Sequence, residues 1–293
     1  MSASQISGRS ARRARRALTE AAAVTLGVVL LIWSLIPVYN MLLIALDPDD
    51  GDVEFTGNIW PPEPSLNSFR MVLSEGHWIL ENFWHQFGNS VYIGLLTMFL
   101  TVFIGSLASF AIGRMRLRGG WLLTNAAFLT FVIPASFLAI PYHRIMHDYG
   151  LYNNLWSIIA ADVAFSTPYA ILILQQYGKL VPMEIDDAAR VDGASPVQIY
   201  LRIYLPLMAP ALAAVATYAL LLAWNEYVYQ YLLLPSTENW TVAVAVAQFF
   251  NSDEAPWNYM MAIGIVYALP PIVIFYVLLR RMTSGLTTGG VKG

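Results

Sequence analysis

Residues 21–46 read AAAVTLGVVLLIWSLIPVYNMLLIAL, an apolar run without a single charge. A bilayer core takes about 20 mostly apolar residues as a helix, so this run is long enough to cross. Its apolar character is continuous and does not alternate. That excludes a barrel strand and leaves a helix, whose backbone polar groups are satisfied within the segment. Five further stretches share this character, at roughly Asn89–Ile112, Trp121–Ile140, Leu155–Tyr177, Ala209–Leu234 and Met260–Leu279. Each is bounded by charge, proline or a polar run. The composition agrees: of 293 residues 57% are hydrophobic and 12% charged, against about 25% charged in a soluble domain. The expected fold class is therefore an all-α integral membrane protein with six transmembrane helices.

Arg12, Arg13, Arg15 and Arg16 precede the first run, as a positive segment precedes a signal peptide. The run exceeds an h-region of about 7–15 residues and no small-residue cleavage site follows it. It reads as a retained helix, with the arginines as an inside anchor and not a nucleic-acid patch. Orientation follows from Lys and Arg. With the N-terminus inside, the arginines from Arg9 to Arg16, the Arg114/Arg116/Arg118 loop, the loop with Lys179, Arg190 and Arg202, and the tail with Arg280, Arg281 and Lys292 share one face. That is 14 of the 16 basic residues, leaving Arg70 and Arg144 outside. Both termini are thus expected in the cytoplasm.

The domain plan follows. Residues 1–20 form a basic cytoplasmic N-terminus and 21–46 the first helix. Residues 47–88 form an external acidic loop with Asp47, Asp49, Asp50, Asp52, Glu54, Glu63, Glu75 and Glu81, extended around Pro61-Pro62-Glu63-Pro64. Residues 89–282 form a five-helix core containing a long cytoplasmic loop at 178–206, and 283–293 a cytoplasmic tail.

That cytoplasmic loop is much longer than a tight helix–helix connection. Pro182 suits a first helical turn, and Glu184, Asp186 and Asp187 sit where a helix dipole favours acids. Gly193 suits a left-handed stop. Ser195-Pro196 reads as N-cap and N1 of a second helix, which Pro206 and Pro210 end or kink. Ala188 and Ala189 leave a low surface beside the acidic turn. A helix, a glycine turn and a helix form a knob suited to a groove on another protein; a solvated amphipathic loop is the plainer alternative.

Asp187-Ala188-Ala189, then three residues, Gly193, nine residues, and Ile203-x-Leu205-Pro206 resembles the EAA loop of binding-protein-dependent ABC importer permeases. Asp187 stands where that family usually has Glu, keeping the charge on a shorter arm. The smaller maltose-type permease of carbohydrate importers is similar further along the chain. The likeness is carried by Asn89-Ser90, Ala108-Ser-Phe-Ala-Ile-Gly-Arg114, Arg118-Gly119, Ile140-Pro141-Tyr142, Gly150-Leu151 and Trp224-Asn225-Glu226-Tyr227. The C-terminal run from Gly285 to Gly293 extends it.

The resemblance implies a permease subunit in a bacterial inner membrane. It would act beside a second homologous permease, two cytoplasmic ATPase subunits and an external or periplasmic solute-binding protein, importing a carbohydrate. Glu184, Asp187, Ala188, Ala189, Gly193, Ile203, Leu205 and Pro206 would couple to the ATPase, and Gly285, Gly289, Gly290 and Lys292 would contact it. ATP and Mg would be bound by those partners; this chain is expected to carry no cofactor, no metal and no catalytic residue.

An acid in lipid costs at least about 2.5–3.5 kcal/mol, so Asp162 and Glu226 must face protein or water. With Trp224, Asn225 and Tyr227 they are candidates for a solute path; a structural hydrogen bond, and for the aromatics an interfacial belt, are the alternatives. His143 and His147 share a helical face, but Arg144 stands where a zinc hydrolase places Glu, so no metal site is expected. No P-loop pattern occurs, and the absence of Cys excludes a disulfide framework and a cysteine nucleophile. The rival functions are a permease for another small solute such as a glycerol phosphoester, an intramembrane enzyme using the two acids and the histidines, and an ion-coupled secondary transporter.

Overall fold

The computed structural model describes residues 3–48, 59–115, 117–130, 132–251 and 255–289, with side chains from 15 to 280 within those ranges. The described residues form helices joined by turns, with no strand among them. Asp49, Asp50, Asp52, Glu54, Arg116, Asp253, Glu254, Gly290 and Lys292 lie outside the described residues. So do the side chains of Arg9, Arg12, Arg13, Arg281, Gly285 and Gly289.

The chain falls into two compact units, Met1–Arg70 with Pro256–Ile265, and Met71–Ala255 with Val266–Gly293. In the first, helix α1 runs Ala3–Ala45. The expected basic segment 1–20 is therefore continuous with the span and not a separate piece. Within the same unit the Ser65 amide donates to the Leu46 carbonyl at 2.8 Å.

The described part of the loop expected at 47–88 contains helical turns, and the next long helix begins inside it. Helix α2 occupies Asn67–Leu73 and a 3-10 turn occupies Trp78–Leu80. Helix α3 then starts at Phe83, ahead of the expected Asn89, and runs to Gly113.

In the second unit α3 and α6 (Leu155–Gly178) are the main packed pair. Between Ser90 and Ser109 the buried positions of α3 are small or hydroxylic except for Ile93: Ser90, Gly94, Thr97, Thr101, Gly105, Ser106 and Ser109. The large apolar residues Phe99, Phe103 and Leu107 lie outside. This inverts the pattern of a soluble helix. In lipid no hydrophobic force drives two helices together, so close backbone approach and interhelical hydrogen bonds do. A Cβ at Gly105 would sit 2.7 Å from that of Ala170, and the hydroxyls of Thr101 and Ser166 meet at 2.6 Å.

The third expected span, 121–140, is not one helix. Helix α4 runs Gly120–Leu129 and α5 runs Ala135–Asp148. Pro134 precedes α5 in an extended conformation, which a proline permits and a helix interior does not. The fifth span is also interrupted. Helix α10 runs Ala209–Asn225, Glu226 turns extended at φ −68°, ψ 131°, and α11 resumes at Val228–Leu233.

Between α6 and α10 lie α7 (Glu184–Val191), α8 (Pro196–Ile199), a π-turn at Tyr200–Tyr204, and α9 (Leu205–Leu207). The stretch Pro196–Leu207 meets Ala209–Asn225 at 78°. A short helix α12 (Val242–Ala247) packs on α3. The last helix, α13, runs Trp257–Gly289, so most of the expected tail from 283 continues it.

Among the described residues four helical stretches are long and apolar enough to cross a membrane: Arg15–Ala45, Trp78–Gly113, Leu155–Gly178 and Trp257–Arg280. The bent pair makes a fifth. The sixth crossing expected from the sequence would need α4 and α5 together.

Candidate functional site

The site with the most legible construction is the segment from α6 to α10. Helix α7 begins at Glu184, one residue after its cap Met183; Pro182 lies outside the helix and not in its first turn. Glu184, Asp186 and Asp187 occupy that turn, where the exposed N–H groups favour negative charge. Gly193 ends the helix at φ +83°. Its amide bonds the Arg190 carbonyl at 3.0 Å and the Ala194 amide bonds the Ala189 carbonyl at 2.9 Å. That pair of bonds is a Schellman stop, which needs a left-handed residue at the position of Gly193.

Ser195 then caps α8. Its hydroxyl accepts from the Gln198 amide at 3.3 Å, and the Gln198 side chain accepts from the Ser195 amide at 2.7 Å. Pro196 occupies N1 as expected. Pro206 sits exposed within α9, and the helical path bends by 78° at Met208, between Pro206 and Pro210, as the kink expected of them.

The knob is anchored on one face. Ala189, Ala194, Ile203 and Leu205 pack against a cluster of Phe110, Leu174, Ile199, Tyr200 and Tyr204. The Tyr200 and Tyr204 hydroxyls reach Ser106 and Ser109 on α3 at 2.7 and 3.1 Å. The opposite face is exposed and carries Glu184, Asp187, Ala188 and Gly193. Val191 there is 88% exposed. The two alanines therefore part company, with Ala188 outward and Ala189 inward.

Sequence reading missed the polar centre of this segment. Arg114 caps the end of α3 and is 4% exposed, and Asp186 is 1% exposed. Their side chains form an ion pair at 3.4 Å. The Arg114 guanidinium also donates to the carbonyls of Val181 at 3.1 Å, Gly178 at 3.4 Å and Pro182 at 3.5 Å, and to Met183 Sδ at 3.0 Å. In return Arg190 donates to the Arg114 carbonyl at 3.1 Å and to Asp187 at 3.0 Å. An arginine closing an apolar helix marks Arg114 in the sequence, but nothing there names its partner, because Asp186 is far along the chain.

The second candidate region is the α10–α11 break. Glu226 is half-buried, and its two carboxylate oxygens accept the amides of Tyr229 at 2.8 Å and Gln230 at 3.0 Å. It closes the first turn of α11. Trp224 is buried and stacks on Tyr267, with ring centroids 4.7 Å apart. Asn225 is exposed and donates to the Leu221 carbonyl at 2.7 Å. Tyr227 is 39% exposed and stacks on Tyr231, a neighbour the sequence reading left out of the path. Asp162 is fully buried in α6, its carboxylate oxygens without a hydrogen-bond partner among the described residues. Of the five path candidates, Asn225 and Tyr227 thus present the most surface. No group of three or more His, Cys, Asp or Glu arranged for a metal occurs among the described residues.

Comparison with known proteins is consistent along nearly the whole chain. A family model described as "binding-protein-dependent transport system inner membrane component" matches residues 96–287. The inner membrane ABC transporter permease protein YcjP of Escherichia coli is 28% identical over 90% of this chain and 93% of its own length. The trehalose transport system permease protein SugB of Mycobacterium tuberculosis is 31% identical over 89% of this chain and 93% of its own. A crystal structure of a bacterial ABC transporter that imports alginate shares the fold, with a TM-score of 0.73 and 22% identity over 92% of this chain and 97% of that one.

Proposed function

The chain belongs to the binding-protein-dependent transport system inner membrane component family, and on that premise we propose that it is the permease subunit of an ATP-driven importer that takes up a carbohydrate. The observation that carries the coupling role is the exposed knob of α7, stopped by Gly193 and seated by its inner face on α3. A protruding rigid helix at the end of two membrane helices is what a separate ATPase needs in order to push on them. Trehalose and alginate, named for a relative and for a structural neighbour, support a sugar as cargo over a phosphoester.

On this reading Glu184, Asp187, Ala188 and Gly193 meet the ATPase, while Ala189, Ile203 and Leu205 hold the knob to its own chain. Pro206 starts the passage into α10. Two ATPase subunits bind ATP and Mg, and hydrolysis is theirs. A second permease completes the membrane pore, and an external solute-binding protein delivers the sugar. The knob and both termini face the cytoplasm, in line with the Lys and Arg distribution. Alternating access follows: closing of the ATPases displaces α7, and the helices rock open to the outside. Asn225 and Tyr227 line the path, since irregular backbone at membrane depth is tolerated only against protein or water. Glu226 acts there through the shape of the break.

The test is to express the chain with a partner permease, an ATPase and a solute-binding protein of the same organism. ATP-driven uptake by proteoliposomes is then measured for a panel of labelled di- and oligosaccharides and for glycerol phosphoesters. Uptake of a sugar that depends on all four components supports the reading. Uptake without the ATPase, or of the phosphoester alone, would sink it.

A further inference from the structure

Three parts of the chain converge on one buried guanidinium. Arg114 belongs to the end of α3. Its acceptors are the last turn of α6 at Gly178, the connection at Val181, Pro182 and Met183, and Asp186 on α7. From the other direction Arg190, in the last turn of α7, donates to the Arg114 carbonyl. That carbonyl belongs to the end of α3, where helix termination leaves acceptors open.

We propose that Arg114, paired with Asp186 and answered by Arg190, is the positioning residue that makes α7 and the ends of α3 and α6 one moving body. The reasoning rests on the coupling role given to α7 above and on the geometry of the fork. A guanidinium is planar, with five N–H donors in fixed directions. Acceptors from separate elements satisfy it together in one arrangement only. A buried ion pair adds little net stability, but breaking it by removing one partner is costly, because a charge is left unpaired in a dry site. Asp186 Oδ2 has no hydrogen bond of its own among the described residues; the charge of Arg114 is its compensation. The device therefore contributes stiffness more than stability. If α7 rotates against α3, both charges are stranded. A push on α7 then moves α3 and α6 and does not bend the connection at 179–183. Asp187 shares Arg190 at 3.0 Å, so the outward acid holds the second half of the lock in place.

The test uses the assembled transporter and the absence of cysteine from this chain. Spin labels are placed at Asp192→Cys and Phe99→Cys to report α7 against α3. A second pair at Phe99→Cys and Trp156→Cys reports the helix core. Distances are measured without nucleotide and with ATP and vanadate. In the parent chain the first pair gives one narrow distribution that nucleotide leaves unchanged. In Arg114→Gln, and in the milder Asp186→Asn, that distribution is lost to a broad one that shifts with nucleotide. The core pair stays narrow and the ATPase remains bound and hydrolyses ATP. Arg114→Lys, which keeps the charge and loses the fork, falls between. A first pair unchanged in both Arg114→Gln and Asp186→Asn overturns the proposal. So does broadening of both pairs together, since the residues would then only support the fold. Failure of the ATPase to bind the parent chain would instead remove the coupling role itself.

Discussion

Replacing Gly193 tests the coupling knob through backbone geometry alone. The residue sits at φ +83°, and a Cβ built there meets nothing within 4 Å. Packing therefore adds no penalty, and the cost of a side chain is conformational. A non-glycine residue in the left-handed region costs about 1–2 kcal/mol, a β-branched one is a worse fit, and Asn tolerates the region well. Each 1.4 kcal/mol is about a tenfold change in the population of the native turn. Relief of that strain breaks the two bonds to the Ala189 and Arg190 carbonyls and reorients α8 against α7. The expected order of damage is Gly193→Asn, then Gly193→Ala, then Gly193→Val. The valine variant should insert in the membrane at parent levels and yet lose at least tenfold in ATPase co-purification or in ATP-driven uptake. Two readouts are needed: the amount of monodisperse permease after solubilisation, and the ATPase recovered with it. Full coupling in Gly193→Val would refute the reasoning. So would a Gly193→Asn variant as damaged as the valine one, because glycine would then matter for something other than its backbone.

Ala188→Glu and Ala189→Glu should fail differently. The first should leave a folded permease that no longer retains the ATPase, and the second should lower the yield of folded protein, because Ala189 packs inward; equal loss of folded protein in both would contradict the two-faced knob. Glu226→Gln keeps one acceptor for the two first-turn amides of α11, so it should lower thermal stability by about 1 kcal/mol and leave uptake near the parent value, read by melting and transport together. Tyr227→Leu should instead raise the KM for uptake with little change in melting temperature, and Asn225→Leu should raise it while also lowering the melting temperature, because the Leu221 carbonyl loses its donor; an unchanged KM in both would take them off the path. For topology, Ser74→Cys and Asp192→Cys are exposed probes, whereas Ser68 is fully buried and unsuitable; impermeant maleimide on intact spheroplasts should label position 74 alone, and labelling at 192 would reverse the orientation.

What could be read from the sequence was local. Gly193 and Ser195-Pro196 are positions where one residue type satisfies a backbone requirement, and the structure has the left-handed stop and the capping box there. The long apolar runs were equally plain, because length in lipid is set by bilayer thickness. Three things were not legible. The run 121–140 is uniformly apolar, and its break depends on Pro134, which a membrane helix can also absorb as a kink. Ala188 and Ala189 are the same residue type, so only the seat of α7 on Phe110 and Leu174 tells inward from outward. The Arg114–Asp186 pair joins residues far apart in the chain, where neither periodicity nor capping gives a signal. The small, hydroxylic face of α3 was present in the letters as a repeat of Ser, Gly and Thr, but hydropathy alone treats such positions as weak points in the span and not as its packed side.

On the proposed coupling role, a push at α7 would have two routes into the helices. One route is the Arg114 lock into α3. The other is covalent: α8, the π-turn and α9 lead into α10 through the 78° bend, and α10 ends at the Glu226 break. Three backbone carbonyls near that break have side-chain partners. Tyr267 donates to the Trp224 carbonyl at 2.9 Å, Gln230 to Ala223 at 3.4 Å, and Asn225 to Leu221 at 2.7 Å. Tyr229 on α11 donates to the Ala135 carbonyl at 2.6 Å, which ties this break to the one between α4 and α5. Side-chain bonds of this kind can exchange without unfolding a helix, whereas the backbone ladder of α3, which has no proline within it, cannot. If the knob takes the push proposed for it, α3 and α6 would carry that motion and the two tied breaks would release it. Asn225 and Tyr227 present their surface at one of those breaks, so the residues placed on the solute path lie where the helices are built to give.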